Sequence, residues 1–89
     1  MDYKDLQVFL SLSSQQHLGK AGQQLHMSAS TLSRRLARME EEAGAQLFNR
    51  DTTPMQLTPA GELFRQHAEQ TLLSWQQLRS SVGTEVSDL

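Results

Sequence analysis

The clearest pattern of apolar and polar positions lies between residues 28 and 44. Its apolar side chains are spaced by four, three and four positions, as in one buried stripe of a helix: Leu32, Leu36, Met39 and Ala43. Ser28 precedes the stripe as a good N-cap, and Gly44 follows it as a residue that can end a helix. The pattern therefore predicts a helix from about residue 29 to residue 43.

Two helices are predicted before this one. Asp2 is the expected N-cap of a helix from about residue 3 to residue 14. Its apolar residues fall on two sides, with Leu6, Phe9 and Leu10 on one and Val8 and Leu12 on the other. Gly19 is the expected N-cap of a short helix from residue 20 to about residue 26.

A hairpin and a long helix are predicted after it. Residues 47–50 and 55–57 are strand candidates, and residues 51–54 between them have the composition of a turn. Thr58 as N-cap and Pro59 at the first helical position predict a fourth helix from residue 59 to about residue 82. Residues 83–89 show no clear period, so we expect them to form a frayed tail.

The fourth helix has more apolar surface than so small a domain can cover. Eighty-nine residues make one small domain with a modest core, which a second copy of the chain could extend. We therefore expect a homodimer formed through one edge of this helix. The candidate dimerisation residues are Leu63, Phe64, Ala68, Thr71, Leu72, Trp75 and Leu78.

Hydroxyl and guanidinium groups occupy the side of the third helix opposite its apolar stripe. A net charge of −2 argues weakly against nucleic acid binding, but the charges are segregated along the chain. Residues 11–39 contain no acidic residue, and their cations are Lys20, Arg34, Arg35 and Arg38. A basic patch can therefore exist on this mildly acidic protein.

Together these elements predict a mainly α fold, a winged helix-turn-helix with a short two-stranded wing and a long C-terminal linker helix. Residues 1–58 would form the DNA-binding domain and residues 59–82 the dimerisation helix. This fold places its third helix in the major groove of double-stranded DNA. The candidate DNA-binding residues are Lys20, Ser28, Ser30, Thr31, Ser33, Arg34, Arg38, Arg50, Thr52 and Thr53.

These candidates differ in their expected roles. Arg34 suits base reading because an arginine can donate two hydrogen bonds to guanine, whereas Arg38 lies further along the helix and suits a phosphate. Arg50 could reach DNA from the wing or could pair with Asp51 or a glutamate, and we weigh the two equally. Lys20 could touch a phosphate or be solvated. A helical interaction module that does not bind DNA remains the alternative function.

Catalytic and metal-binding functions have little support. There is no cysteine, and the three histidines are far apart, so neither a metal nor another cofactor is expected. The consecutive acids at residues 40–42 point in three directions, which is typical of a solvated helix end with at most one ion pair. Nothing places a base beside a nucleophile, so a small hydrolase is a weak alternative and we expect no enzyme activity. A cytoplasmic protein is consistent with the lack of cysteine, and no apolar run is long enough to cross a membrane.

The chain resembles the LysR-type bacterial transcription regulators over nearly its whole length. The motifs that carry the resemblance are Leu6-x-x-Phe9, Ala21-x-x-x-Leu25, Ser28-x-Ser30-x-Leu32-Ser33-Arg34-x-Leu36, Glu40-x-x-x-Gly44, Leu47-Phe48-x-Arg50 and Leu57-Thr58-x-Ala60-Gly61. Three positions depart from the family pattern. Many members have Gln-Pro at Ala29-Ser30, and many have serine or threonine at Gly19, so base preference and a possible phosphate contact differ here.

The resemblance implies more than the residues alone predict. It implies dimerisation through the linker helix and binding to interrupted inverted repeats in DNA. It also implies that an inducer-binding domain follows the linker in a longer regulator, so a small-molecule inducer would act only through that further domain. On this basis we expect the 89 residues to be a DNA-binding fragment.

Overall fold

Four helices and a two-stranded sheet make up the computed structural model, which describes residues 1–87. The elements in chain order are α1 (Tyr3–Gln15), α2 (Leu18–Leu25), α3 (Ala29–Ala43), β1 (Phe48–Asn49), β2 (Gln56–Leu57) and α4 (Pro59–Ser87). This confirms the predicted mainly α architecture with a short wing and a long last helix.

A reciprocal capping box begins α1. The Asp2 side chain accepts a hydrogen bond from the Asp5 backbone N–H at 2.9 Å, and the Asp5 carboxylate accepts one from the Asp2 N–H at 3.0 Å. The predicted N-cap is thus confirmed. Gln16 ends the helix in the left-handed conformation, with φ of 60°. This turn sends the chain back towards α2.

Both predicted apolar sides of α1 contribute to the core, but not all of their residues are buried. Val8, Phe9 and Leu12 are fully buried, whereas Leu6 and Leu10 are only half-buried. The remaining buried core residues come from the other elements: Ala21, Leu32, Leu36, Met39, Leu47, Phe48 and Met55. Because α1 is surrounded by α2, α3 and α4, its buried surface is wider than one stripe.

The predicted start of α2 is wrong. The helix begins at Leu18 after His17, which has extended backbone angles but makes no side-chain capping bond, and Gly19 lies inside the helix. Close packing against the turn after α2 explains the glycine at position 22. A Cβ atom on Gly22 would lie 2.4 Å from the Met27 carbonyl oxygen, so only glycine fits where α2 meets this turn.

The wing is anchored to the far end of α1. Its antiparallel strands pair Phe48 with Leu57 and Asn49 with Gln56. They are shorter than predicted because the Met55 backbone bonds elsewhere. Its N–H donates to the Gln16 carbonyl at 3.0 Å, and its own carbonyl accepts from Gln16 Nε2 at 3.2 Å. These two bonds fix the position of the second strand.

The last helix begins as predicted and ends later. The Thr58 hydroxyl accepts a hydrogen bond from the Gly61 N–H at 3.0 Å, which caps the first turn. The helix continues to Ser87, beyond the predicted end at residue 82, since a single Gly83 weakens a helix without removing a backbone donor. Residues 88 and 89 of the predicted tail lie outside the described residues. Within the described part, no helix has the length and apolar character to cross a membrane.

Candidate nucleic-acid interface

The two faces of α3 differ as predicted. Leu32, Leu36 and Met39 are fully buried, while Ser30 and Arg34 are exposed on the other side. The prediction is wrong for Ala43, the last residue of the stripe, which is exposed at the end of the helix. Three hydroxyl groups gather at the N-terminus of this helix. Ser28 Oγ accepts the Thr31 N–H at 3.2 Å and donates to Thr31 Oγ1 at 2.8 Å, and it lies 3.3 Å from Ser30 Oγ. The helix therefore presents a polar, hydroxyl-rich end to solvent.

The cations on this side of the molecule fall into two groups. Arg34 and Lys20 are exposed and form no ion pair with any residue that the structure describes. Arg35 and Arg38 instead share one acidic partner. Arg35 Nη1 lies 2.7 Å and Arg38 Nη2 lies 3.3 Å from the same oxygen, Asp5 Oδ1. Only the first group is immediately available to an anion.

Asp5 is a charged residue inside the fold, with 1% of its surface exposed. Burial by itself raises the pKa of this carboxyl. The hydrogen bonds from Arg35 and from the Asp2 backbone, together with the charges of Arg35 and Arg38, outweigh burial and lower the pKa below its ordinary 3.8. Asp5 is therefore ionised at neutral pH and is matched by the two guanidinium groups.

Glu40 connects α3 to the wing. Its Oε2 accepts hydrogen bonds from the backbone N–H groups of Leu47 at 2.6 Å and Phe48 at 3.3 Å. Its Oε1 lies 3.2 Å from Arg50 Nη2. The pair between Glu40 and Arg50 is the one ion pair that the prediction for residues 40–42 allowed, so Arg50 adopts the ion-paired alternative in the free chain. The prediction of a solvated helix end is wrong in two respects: Glu40 also binds the wing backbone, and Glu42 pairs with the N-terminal amine of Met1 at 2.7 Å.

The turn of the wing uses one of its two candidate threonines internally. Thr52 Oγ1 donates to the Pro54 carbonyl at 3.1 Å and to the Asn49 carbonyl at 3.4 Å. Thr53 is exposed. The wing therefore offers Thr53 and, once its pair with Glu40 opens, Arg50.

The predicted dimerisation residues of α4 divide into two sets. Ala68 is 3% exposed within the single chain, and the ring of Phe64 packs against Phe9 with centroids 4.5 Å apart. These two belong to the core of the domain, because the first turns of α4 cover α1, and they are not a free surface. Leu63, Trp75 and Leu78 are about half exposed, at 58%, 46% and 53%. Thr71 is exposed and Leu72 is half-buried.

The ion pairs and hydrogen bonds of Asp5 and Glu40 were not predicted from the sequence. Both were visible only as acids near a helix end, since Asp5 lies 30 positions from Arg35 in the chain. The capping-box spacing of Asp2 and Asp5 was the one available signal. Among the described residues, no group of histidines and acids is arranged to hold a metal ion.

The fold is a helix-turn-helix followed by a two-stranded wing, and it exposes one polar face of α3. These features define the class of winged helix-turn-helix proteins. The sequence profile described as bacterial regulatory helix-turn-helix protein, lysR family, matches residues 3–62. The chain therefore belongs to the LysR family.

Individual relatives agree with this assignment. The chain is 48% identical over 85 residues to the HTH-type transcriptional regulator IlvY of Escherichia coli strain K12, which is 96% of this chain and 29% of that protein. It is similar to the crystal structure of a BenM_DBD/catB site 1 DNA complex, with a TM-score of 0.96 and 32% identity over 99% of this chain and 95% of that one. Vibrio fischeri DarR in complex with DNA gives a TM-score of 0.85 and 31% identity over 99% of this chain and 30% of that one. The chain thus spans 29% of the length of IlvY.

Proposed function

We propose that this chain is the sequence-specific DNA-binding domain of a bacterial transcription regulator and that α3 enters the major groove of double-stranded DNA. The observation that carries the proposal is the exposed face of α3, where Ser30 and Arg34 lie opposite the buried Leu32 and Leu36. An arginine and short hydroxyl side chains are groups that read base edges and phosphates. The similarity to BenM and DarR, both seen in complex with DNA, supports it.

The proposed roles follow from what each side chain does in the free chain. Arg34 has no ionic partner among the described residues, so we assign it direct base reading. The α3 hydroxyl groups of Ser28, Ser30, Thr31 and Ser33 would contact phosphates and base edges. Lys20 and Thr53 would contact the backbone, whereas Arg38 and Arg50 reach phosphates only after their ion pairs open, and Thr52 shapes the wing turn.

Salt dependence tests DNA binding most simply. If one dimer neutralises about 6–10 phosphates, affinity for a duplex should fall about 10³–10⁵-fold between roughly 50 and 200 mM salt. The measurement is a fluorescence-anisotropy titration of a labelled duplex at several salt concentrations. Arg34→Gln should weaken binding, and Arg65→Gln, on α4 and paired with Glu62 and Glu69, is the matched control that should not. An affinity that does not change with salt would contradict the proposal.

We also propose that the DNA-binding unit is a homodimer joined through α4. Beyond the part that covers the core, one side of this helix exposes a row of large apolar residues: Trp75, Leu78 and Val82. They continue into an apolar groove between α1 and α4, lined by Tyr3 and Leu6. So much exposed apolar surface is typical of a protein interface.

A charge in this row should separate the subunits. Leu78→Glu would bury an unpaired carboxylate in the interface, so it should weaken dimerisation by about 2 kcal/mol or more. Gln76→Glu adds the same charge at an exposed polar position of α4 and serves as the control. Sedimentation equilibrium gives the dimer dissociation constant of each variant. Equal constants for the two variants would refute this interface.

A protein-interaction module that does not bind DNA is the remaining candidate, and the exposed apolar row of α4 favours it as much as it favours a dimer. Filter binding with duplex DNA separates the two functions. We further propose a non-enzymatic, cytoplasmic regulator whose small-molecule inducer binds a domain beyond these residues. The similarity to IlvY supports genes of amino-acid biosynthesis as its targets.

A further inference from the structure

Three arginines lie on α3, and the buried carboxylate of Asp5 pairs with two of them. Asp5 Oδ1 accepts hydrogen bonds from Arg35 at 2.7 Å and from Arg38 at 3.3 Å. Its other oxygen accepts the Asp2 N–H at 3.0 Å. Arg34 lies outside this cluster.

The charges of the cluster are balanced. Asp2 Oδ1 lies 3.8 Å from Arg35 Nη1, so two carboxylates face two guanidinium groups. Arg35 is the more enclosed of the two cations, with 24% of its side chain exposed, and Arg38 is 56% exposed. Arg38 is therefore the cation that could turn towards an external anion, and Asp5 is the group it would have to leave.

Leaving Asp5 has a cost that a surface pair would not impose. If Arg38 leaves, Arg35 alone must balance the carboxylates of Asp5 and Asp2, and Asp5 lies in a medium that screens charge poorly. An exposed carboxylate that loses its partner is instead solvated by water. A phosphate at an arbitrary point on DNA offers one exposed, water-screened charge. It competes poorly with Asp5 for either guanidinium.

We propose that Asp5 limits sequence-independent DNA binding by keeping Arg35 and Arg38 paired, so that Arg34 is the cation of α3 free to read DNA. This inference rests on the proposed function and adds to it a residue that determines specificity without touching DNA. Asp5 is a positioning residue that acts through two arginines.

Asp5→Asn tests the proposal because asparagine keeps a carbonyl acceptor and removes the charge. Binding to a duplex of arbitrary sequence should become tighter. The slope of log affinity against log salt should steepen by about 0.9 for each arginine that is released. The ratio of specific to non-specific affinity should fall. A purely structural role for Asp5 would weaken binding to both duplexes and would leave the slope unchanged.

Glu69→Gln is the charge-matched control. It also removes one negative charge that pairs with an arginine, since Glu69 Oε1 lies 2.8 Å from Arg65 Nη1, but it lies on α4. It should leave the non-specific slope unchanged. An equal steepening in both variants would show a general effect of net charge and would overturn the proposal.

Arg38→Gln gives a second test that does not require the Asp5 variant to fold. In the otherwise unchanged chain it should alter the non-specific salt slope little, because Arg38 is already paired. In the Asp5→Asn chain, with folding checked by circular dichroism, it should remove the share of the added slope that is due to Arg38, about 0.9. A loss of about 0.9 in the unchanged chain would mean that Arg38 already neutralises a phosphate, which overturns the inference.

DNA binding by the chain and the role of Asp5 can be refuted separately. If the unchanged chain binds neither a selected nor an arbitrary duplex, the proposed function fails and the inference falls with it. If the unchanged chain binds DNA while Asp5→Asn, folded, shows the same non-specific slope, only the role of Asp5 fails.

Discussion

Asp5 illustrates how one residue couples the stability of the fold to its surface charge. The lowered pKa means that the folded chain binds its proton less readily than the unfolded chain, whose aspartates titrate near 3.9. The stabilisation is therefore fully present above about pH 4 and is lost as the pH falls through the lowered pKa. Acid should loosen the attachment of α1 to α3.

Substitution of Asp5 makes this measurable. Asp5→Asn should lower the free energy of unfolding by about 1–3 kcal/mol at pH 7, because the charged hydrogen bonds to Arg35 and Arg38 are lost. The difference from the unchanged chain should shrink as the pH falls below about 4, and it should vanish once the pH is below the lowered pKa of Asp5 in the folded chain. Urea unfolding from pH 7 to pH 2.5 measures it, with exposed Asp51→Asn as control. A difference that is constant with pH would contradict this account.

At the residue scale, the sequence predicted exposure better than pairing. The helical period of α3 was enough to place Leu32 and Leu36 inside and Ser30 and Arg34 outside. It could not reveal that Arg38 meets Asp5, since that contact depends on how α1 packs against α3. Pairing between distant positions needs the tertiary fold.

At the element scale, caps decided which helix bounds could be predicted. The predicted bounds of α3 match the structure, because Ser28 caps its start and Gly44, with φ of 71°, ends it. No side chain caps the start of α2, so the sequence carried no local signal there. The predicted wing strands were too long, because the Met55 N–H bonds to Gln16 instead of the neighbouring strand.

The wing and α4 pack so closely at Gly61 that one added methyl group should strongly reduce the stability of the fold. A Cβ atom on Gly61 would lie 2.0 Å from the Leu47 carbonyl oxygen and 2.9 Å from its carbon, and these backbone atoms cannot move aside cheaply. Gly61→Ala should therefore destabilise the fold by about 1–3 kcal/mol or more.

Gly19→Ala provides the matched control for this junction. Nothing lies within 4 Å of its added Cβ, and it lies inside α2, so it should stabilise the fold by up to about 1 kcal/mol. Thermal or urea unfolding compares both variants with the unchanged chain. Similar effects of the two alanines would refute the close contact at Gly61.

At the scale of the whole molecule, α4 gives the chain its shape. The molecule is 54 Å long but only 26 and 19 Å across, because the helix extends well past the packed domain. Its first turns cover the core with Phe64 and Ala68, and the rest exposes apolar residues such as Trp75 and Leu78. The sequence predicted a helix with two apolar edges, but only the fold separates the part used by the core from the part left for a partner.

A two-fold dimer with one α3 per subunit would bind two half-sites related by a two-fold axis. Selection of bound duplexes from a random pool tests that claim most directly. We expect the unchanged chain to enrich an inverted repeat, and Arg34→Ala to lose discrimination worth about 1–3 kcal/mol at one base of each half-site. Enrichment of no sequence, or the same preference at every base after Arg34→Ala, would contradict the account.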